Sequence, residues 1–257
     1  MNPDAGAPEI EIAGLTKRYG DGKPVVDSVD LLVRKSEFVS ILGASGCGKS
    51  TILKLISGLV VPTSGTIRVE GMTPQDAREI ISFIFQDATL LPWRTVIDNV
   101  GLGLELEGEP SSAREEKVKA LLDLVGLRNV ARAYPRELSG GMKMRVSIAR
   151  ALATSPRLLL LDEPFAALDE MTRDRLNEEL LRLYAEQKWT VLFVTHSVAE
   201  AVFLSSRVVI LAVHPGRVAH EIPIDLAWPR TAETRESMEF EEAVTHAARL
   251  LRGVHHG

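Results

Sequence analysis

One string constrains this chain more than any other feature: Gly43-Ala44-Ser45-Gly46-Cys47-Gly48-Lys49-Ser50 fits G-x-x-x-x-G-K-[ST]. The apolar run at 37–42 before it reads as a strand, and Thr51-Ile52-Leu53-Lys54-Leu55-Ile56 after it reads as a helix. In that setting glycines let the backbone curl so that successive N–H groups point at phosphate oxygens, and the helix N-terminus adds partial positive charge. Lys49 would then reach the β- and γ-phosphates of a nucleotide, and the Ser50 hydroxyl would ligate Mg²⁺. Cys47, at a helix start where thiol pKa tends to fall, is expected to be reactive enough for alkylation to block the loop.

The pattern around the loop says what kind of sheet carries it. The first third is β-rich, with strand patterns at 10–13, 29–33, 66–69 and 80–85. The middle turns helical: Ser112 with Glu115 reads as a capping box, and Val118, Leu121, Leu122 and Val125 share one helical face ended by Gly126. A further helix is expected over 141–153. Strand and helix then alternate, with strands at 158–161, 190–195 and 208–212 and a helix over 171–187. Such alternation predicts a parallel sheet with crossover helices, interrupted by a helical block at 88–152. A last amphipathic helix is expected over 236–252, with Phe240, Val244 and Leu251 on one side. His255 and His256 read as solvated.

Bulk properties narrow the function. Of 257 residues, 45% are hydrophobic, enough for a sizeable core, and the net charge of −5 gives no footprint for nucleic acid. No apolar run approaches the roughly 20 residues a spanning helix needs, and residues 1–8 lack a secretion-signal pattern. The single cysteine excludes an internal disulfide. A cytosolic chain is expected, held at any membrane by another protein.

Leu158-Leu159-Leu160-Leu161-Asp162-Glu163 reads as a buried strand ending in two acids. Ligands of a doubly wound sheet bind at the carboxyl ends of its strands, which places both acids near the phosphate loop. Asp162 suits the surroundings of Mg²⁺, and Glu163 suits accepting a proton from, or orienting, an attacking water.

Further elements fall in one order: Tyr19 before the loop, Gln86 after the strand at 80–85, Leu138-Ser139-Gly140-Gly141 before a helix, Ala167-Leu168-Asp169 after Glu163, and His196 ending the strand at 190–195. The series resembles the ATP-binding-cassette ATPases over nearly the whole chain up to about residue 220. The resemblance implies an α/β fold with a phosphate-loop (RecA-like) core and parallel sheet, an N-terminal antiparallel β subdomain and an inserted helical subdomain. Within one domain over 1–257, 1–87 and 153–220 would form the core with its β subdomain, 88–152 the helical subdomain, and 221–257 a C-terminal extension. It further implies ATP and Mg²⁺ as ligands. Tyr19 would stack on adenine, Gly43, Ala44, Ser45, Gly46, Cys47, Gly48, Lys49, Ser50 and Thr51 would cradle phosphate, and Gln86 would touch Mg²⁺ and the water. His196 would donate to the γ-phosphate. Ser139, Gly140 and Gly141 would close on the γ-phosphate of a second cassette in a head-to-tail dimer, with Asp169 linking the two sites. Met142, Met144 and Ser197 depart from the family's commonest residues, which puts fine interface contacts in doubt.

The string Leu90-Leu91-Pro92-Trp93-Arg94-Thr95 resembles the importer ATPases for nitrate, aliphatic sulfonates and taurine. It implies transmembrane permease subunits as partners, a periplasmic solute-binding protein indirectly, and a peripheral position on the cytoplasmic face of the bacterial inner membrane. Exposed Leu90, Leu91 and Trp93 would suit docking. Soluble cassette ATPases of DNA repair or translation are the rival reading, but the interval between residues 86 and 138 is short and the charge is negative. An exporter is less favoured by the Trp93 string. A cassette that binds ATP without turnover is opposed by Glu163 and His196.

Overall fold

The computed structural model describes residues 9–255, without the His255 side chain. The N-terminal segment 1–8 and the read-as-solvated His256 lie outside the described residues. Two sheets organise the chain. β1 (Ile10–Lys17) sits between β2 (Val26–Val33) and β4 (Ser64–Val69) in an antiparallel three-stranded sheet. The second sheet has six strands: β3 (Phe38–Leu42), β5 (Ile81–Ile84), β6 (Leu158–Asp162), β7 (Thr190–Thr195), β8 (Arg207–Leu211) and β9 (Val218–Pro223). Their order is β5-β6-β7-β3-β8-β9, parallel throughout except for β9, which closes the edge as an antiparallel hairpin with β8.

Every residue of β3, β6 and β7 is buried, as expected for strands covered on both faces. Alternate residues divide between two cores. Leu159, Leu161, Val191 and Phe193 enter one, completed by helices α6 (Glu170–Gln187) and α7 (Val198–Leu204). Leu158, Leu160, Leu192 and Val194 enter the other, completed by α1 (Lys49–Ile56) and the three-stranded sheet. A third core joins α2 (Val96–Val100), α3 (Leu102–Leu106), α4 (Ser111–Leu124) and α5 (Gly140–Ala153), which make up the helical block.

Local chemistry departs from the sequence reading in two places. α4 begins at Ser111, directly after Pro110, so Ser112 lies inside the first turn and makes no cap; Glu115 instead pairs with Lys119 at 2.6 Å, one turn on. The limit expected at 220/221 falls inside β9. Beyond β9, α8 (Ala232–Arg235) leads into α9 (Met238–His255), whose Phe240 and Ala247 are buried in the first core, with Phe240 packed edge-on against Phe203 of α7.

Arg230 fastens this C-terminal layer. Its buried guanidinium donates to Val202 O (3.0 Å), Phe203 O (3.0 Å) and Ser205 O (2.8 Å) at the end of α7 and lies over the Trp228 ring. A cation suits the negative end of a helix. Burial pulls its pKa down to about 10, which still leaves it charged at neutral pH. Arg230→Ala orphans these carbonyls, and we expect a loss of about 2–3 kcal/mol in unfolding free energy by denaturant titration. Arg230→Lys, lacking the planar fork, is expected to recover only part of that loss.

Candidate active site

The carboxyl edge of the parallel sheet gathers the chemistry. The registers pair Leu42 with Thr195 and Asp162 with Val194, so the turns that follow β3, β6 and β7 emerge at one level. β5 pairs with β6 through Ile84 and Leu161, and exposed Gln86 follows just beyond the end of β5.

The loop over 43–50 wraps onto the N-terminus of α1. Lys49 is only 4% exposed, and its ammonium is fully engaged: it donates to Gly43 O (2.9 Å) and Ala44 O (3.0 Å) and pairs with Glu163 Oε1 (3.3 Å). Ser45 and Gly46 are exposed at the crest, and Thr51 is partly exposed in the first turn of α1. Gly48 adopts φ +98°, and a Cβ there would lie 2.8 Å from Val26 Cγ2, so both backbone and space demand glycine.

Glu163 also has a left-handed backbone, at φ 46°, an unusual state for a side-chain-bearing residue and one that clusters at functional sites. Its N–H donates to Val194 O at 3.0 Å, which ties the turn to β7. The carboxylate then faces Lys49 with one oxygen and His196 Nδ1 with the other, at 2.8 Å. Asp162 Oδ1 accepts from Ser50 Oγ at 2.7 Å. Burial raises the Asp162 carboxyl above its ordinary value, opposed by the Ser50 hydrogen bond and by the Lys54 and Lys49 charges. Two hard oxygen donors placed this way, one a carboxylate, suit Mg²⁺.

Two more candidate groups flank this edge. Tyr19 is half exposed, with Lys17 Nζ 5.0 Å above its ring; Lys17 O accepts from Val25 N–H, and Val25 backs Gly48, which sets the aromatic on the loop's side of the molecule. Ser139 caps α5 by accepting from Met142 N–H at 3.3 Å. Ser139 and Gly140 are exposed, whereas Gly141 is buried where a Cβ would lie 2.9 Å from Thr172 Cγ2. This turn is therefore positioned against Leu168 and Thr172 and presents its outer side to solvent.

The family model described as ABC transporter matches residues 26–166. The chain belongs to the ABC transporter family. It is 44% identical over 232 residues to a nitrate import ATP-binding protein of Synechocystis sp., covering 88% of this chain and 87% of the relative. It is 41% identical over 249 residues to a taurine import ATP-binding protein of Rhizobium johnstonii, covering 91% and 94%. Among solved structures, a dimeric ATP-binding cassette in a post-hydrolysis state bound to ADP and Pi superposes with a TM-score of 0.76 at 32% identity, covering 85% of this chain and 100% of that one. The protein is an ATP-binding ABC ATPase whose fold is the α/β cassette the sequence led us to expect.

Residues without a sequence signature hold the cassette's working loops. Arg150 of α5 donates to Thr89 O (2.9 Å), Ala88 O (2.9 Å) and Thr89 Oγ1 (3.1 Å), so the segment after Gln86 is bolted to the helix that begins at Gly140. Arg173 of α6 donates to Phe165 O (3.3 Å) and Leu168 O (2.8 Å), fixing the loop between Glu163 and Asp169. Asp169 caps α6 through Thr172 N–H at 3.0 Å, a bond that holds its carboxyl below the ordinary range. Met144 is buried in the first core and Met142 packs partly against the third, while Ser197 caps α7 through Glu200 N–H; these departures thus sit in packing and capping.

The Leu-Leu-Pro-Trp-Arg-Thr loop divides. Asn99, fully buried, accepts from Leu91 N–H (2.8 Å) and donates to Leu91 O (3.1 Å), Arg94 O (3.1 Å) and Thr95 O (3.0 Å), while Arg94 pairs with Glu105 at 2.6 Å. Leu90 and Leu91 are half-buried, with Leu90 against the helical core, but Trp93 is 72% exposed.

Cys47 departs from expectation. Its side chain is 1% exposed, packed under Gly43 and inside the second core, and burial pushes the thiol pKa up against the opposing Lys49 charge. Desolvation thus outweighs the helix start. We expect a maleimide at pH 7.5 to label the native chain far more slowly than the unfolded chain; equal rates would place the thiol at the surface. Gly216, in the β8–β9 hairpin, abuts this loop from outside, and a Cβ there would lie 2.1 Å from Cys47 O. Gly216→Ala must displace one of two backbones, so ATP affinity should fall by roughly tenfold or more in equilibrium titration.

Proposed function

We propose that this cassette is the ATP-hydrolysing subunit of an importer for a small solute such as nitrate, a sulfonate or taurine. It would work as a head-to-tail dimer against transmembrane permease subunits fed by a periplasmic binding protein. That reading places it on the cytoplasmic face of the inner membrane; among the described residues no helix is long and apolar enough to cross one. The relatives named for nitrate and taurine import support the solute class, and the dimeric solved cassette supports the pairing.

In this reading Lys49 exchanges its contacts with the loop carbonyls for β- and γ-phosphate oxygens, and the N–H groups over 43–50 with Thr51 hold the phosphates. Tyr19 stacks on adenine. Ser50, Gln86 and Asp162 would hold Mg²⁺, which when bound would neutralise phosphate charge. Glu163 receives the proton of the attacking water or orients it. His196 faces Glu163 through Nδ1, which leaves Nε2 for a γ-phosphate oxygen. Ser139, Gly140 and Gly141 of the second copy close the site.

The observation that carries the transporter reading over a free-standing ATPase is Trp93. A large aromatic held outward by a buried asparagine clamp is a docking anchor rather than a core residue that failed to bury. Trp93→Ala should leave the ATPase rate of the isolated cassette within about twofold and abolish copurification with its permease. Retained copurification and transport would move the docking surface elsewhere.

A further inference from the structure

Behind the histidine turn lies a polar cluster that the phosphate chemistry does not use. Thr195, the buried last residue of β7, has its hydroxyl engaged twice. It accepts from Ser197 N–H at 3.0 Å and donates to Glu200 Oε2. Glu200 N–H donates in turn to Ser197 Oγ at 3.3 Å. One residue of α7 therefore clamps the turn bearing His196 from both its main chain and its side chain.

The surroundings are costly for such a group. Glu200 is 6% exposed, and its second oxygen, Oε1, has no hydrogen-bond partner. Asn177 of α6, 1% exposed, lies beside it with neither amide atom in a well-formed bond. Burial raises the carboxyl above its ordinary value, opposed by the Thr195 hydroxyl and by the Arg173, Asn177 and His196 neighbours. An apolar residue would pack here without that penalty, so the carboxyl stands here at a cost to stability. His196 itself is more than half exposed, so packing does little to aim its ring; its direction comes from the Nδ1 contact with Glu163 at 2.8 Å and from the backbone of the turn that carries it.

We propose that Glu200 and Thr195 are positioning residues that set the direction of the His196 ring by clamping the turn between β7 and α7. Neither touches nucleotide. The proposal rests on the reading of His196 as a γ-phosphate donor.

Steady-state ATPase measurements on the purified cassette test it, with Thr195→Val and Glu200→Leu made alone and in a His196→Ala background. Each single variant should lower kcat about tenfold or more and leave the KM for ATP within about twofold. Thr195→Ser and Glu200→Gln, which restore an oxygen to the clamp, should recover most of the loss. In the His196→Ala background the same substitutions should cost nothing further, because a group that acts only through His196 has nothing left to act on. A full additional tenfold loss in that background overturns the proposal, as does failure of the oxygen-retaining variants to recover kcat. If Thr195→Val does not fold, Glu200→Leu carries the same comparison. An unchanged kcat for His196→Ala alone would instead sink the underlying role of the histidine, and the positioning proposal with it.

Discussion

The Glu163 carboxylate stands between Lys49 at 3.3 Å and His196 at 2.8 Å, and this contact draws three strand-ends into one site. Each partner comes from a different place in the chain: the lysine from the start of α1 behind the loop after β3, the histidine from the turn after β7, the glutamate from the turn after β6. The parallel registers among these strands fix their relative height, so a slip of one residue would move a charged group out of reach. Lys49 is nearly buried, and a buried ammonium survives only with its donors satisfied. Its contacts with Gly43 O, Ala44 O and Glu163 provide that.

Around this centre the molecule is built from clamps that act on loops rather than on ligand. Asn99 holds the Trp93 loop, Arg150 the segment after Gln86, Arg173 the loop before Asp169, and Glu200 the turn of His196. Three of the four are buried or largely so in their polar atoms, where hydrogen bonds are stronger and missing partners cost more. Arg150 lies on the same helix that Ser139 caps, so the segment at Ala88 and Thr89 and the turn at Ser139 are both fastened to that one helix.

The strands that carry the site were legible in the sequence because they are covered on both faces and read as unbroken apolar runs; the strand at 190–195 matches to the residue. The phosphate loop was legible because its glycines are fixed by backbone geometry. Three features were not. The antiparallel β9 carries alternating exposure and polar residues, so its pattern is weak, and only its pairing with β8 defines it. Cys47 looked activated from its place at a helix start, but the fold buries it, and burial depends on residues as distant as Leu211 and Gly216. Arg150, Arg173 and Asn99 bond to main-chain carbonyls, contacts that leave no partner residue type for a sequence pattern to reveal.

The central claim is that the edge assembled around Glu163 is where ATP is hydrolysed. Glu163→Gln keeps the size and hydrogen bonding of the side chain and removes its capacity to take a proton. The decisive measurement is single-turnover hydrolysis of radiolabelled ATP by this variant, alongside its ATP affinity and its mass in solution with ATP. The account predicts affinity near wild type, hydrolysis lowered by at least about a hundredfold, and accumulation of an ATP-bound dimer. Hydrolysis at the wild-type rate with affinity retained would contradict it.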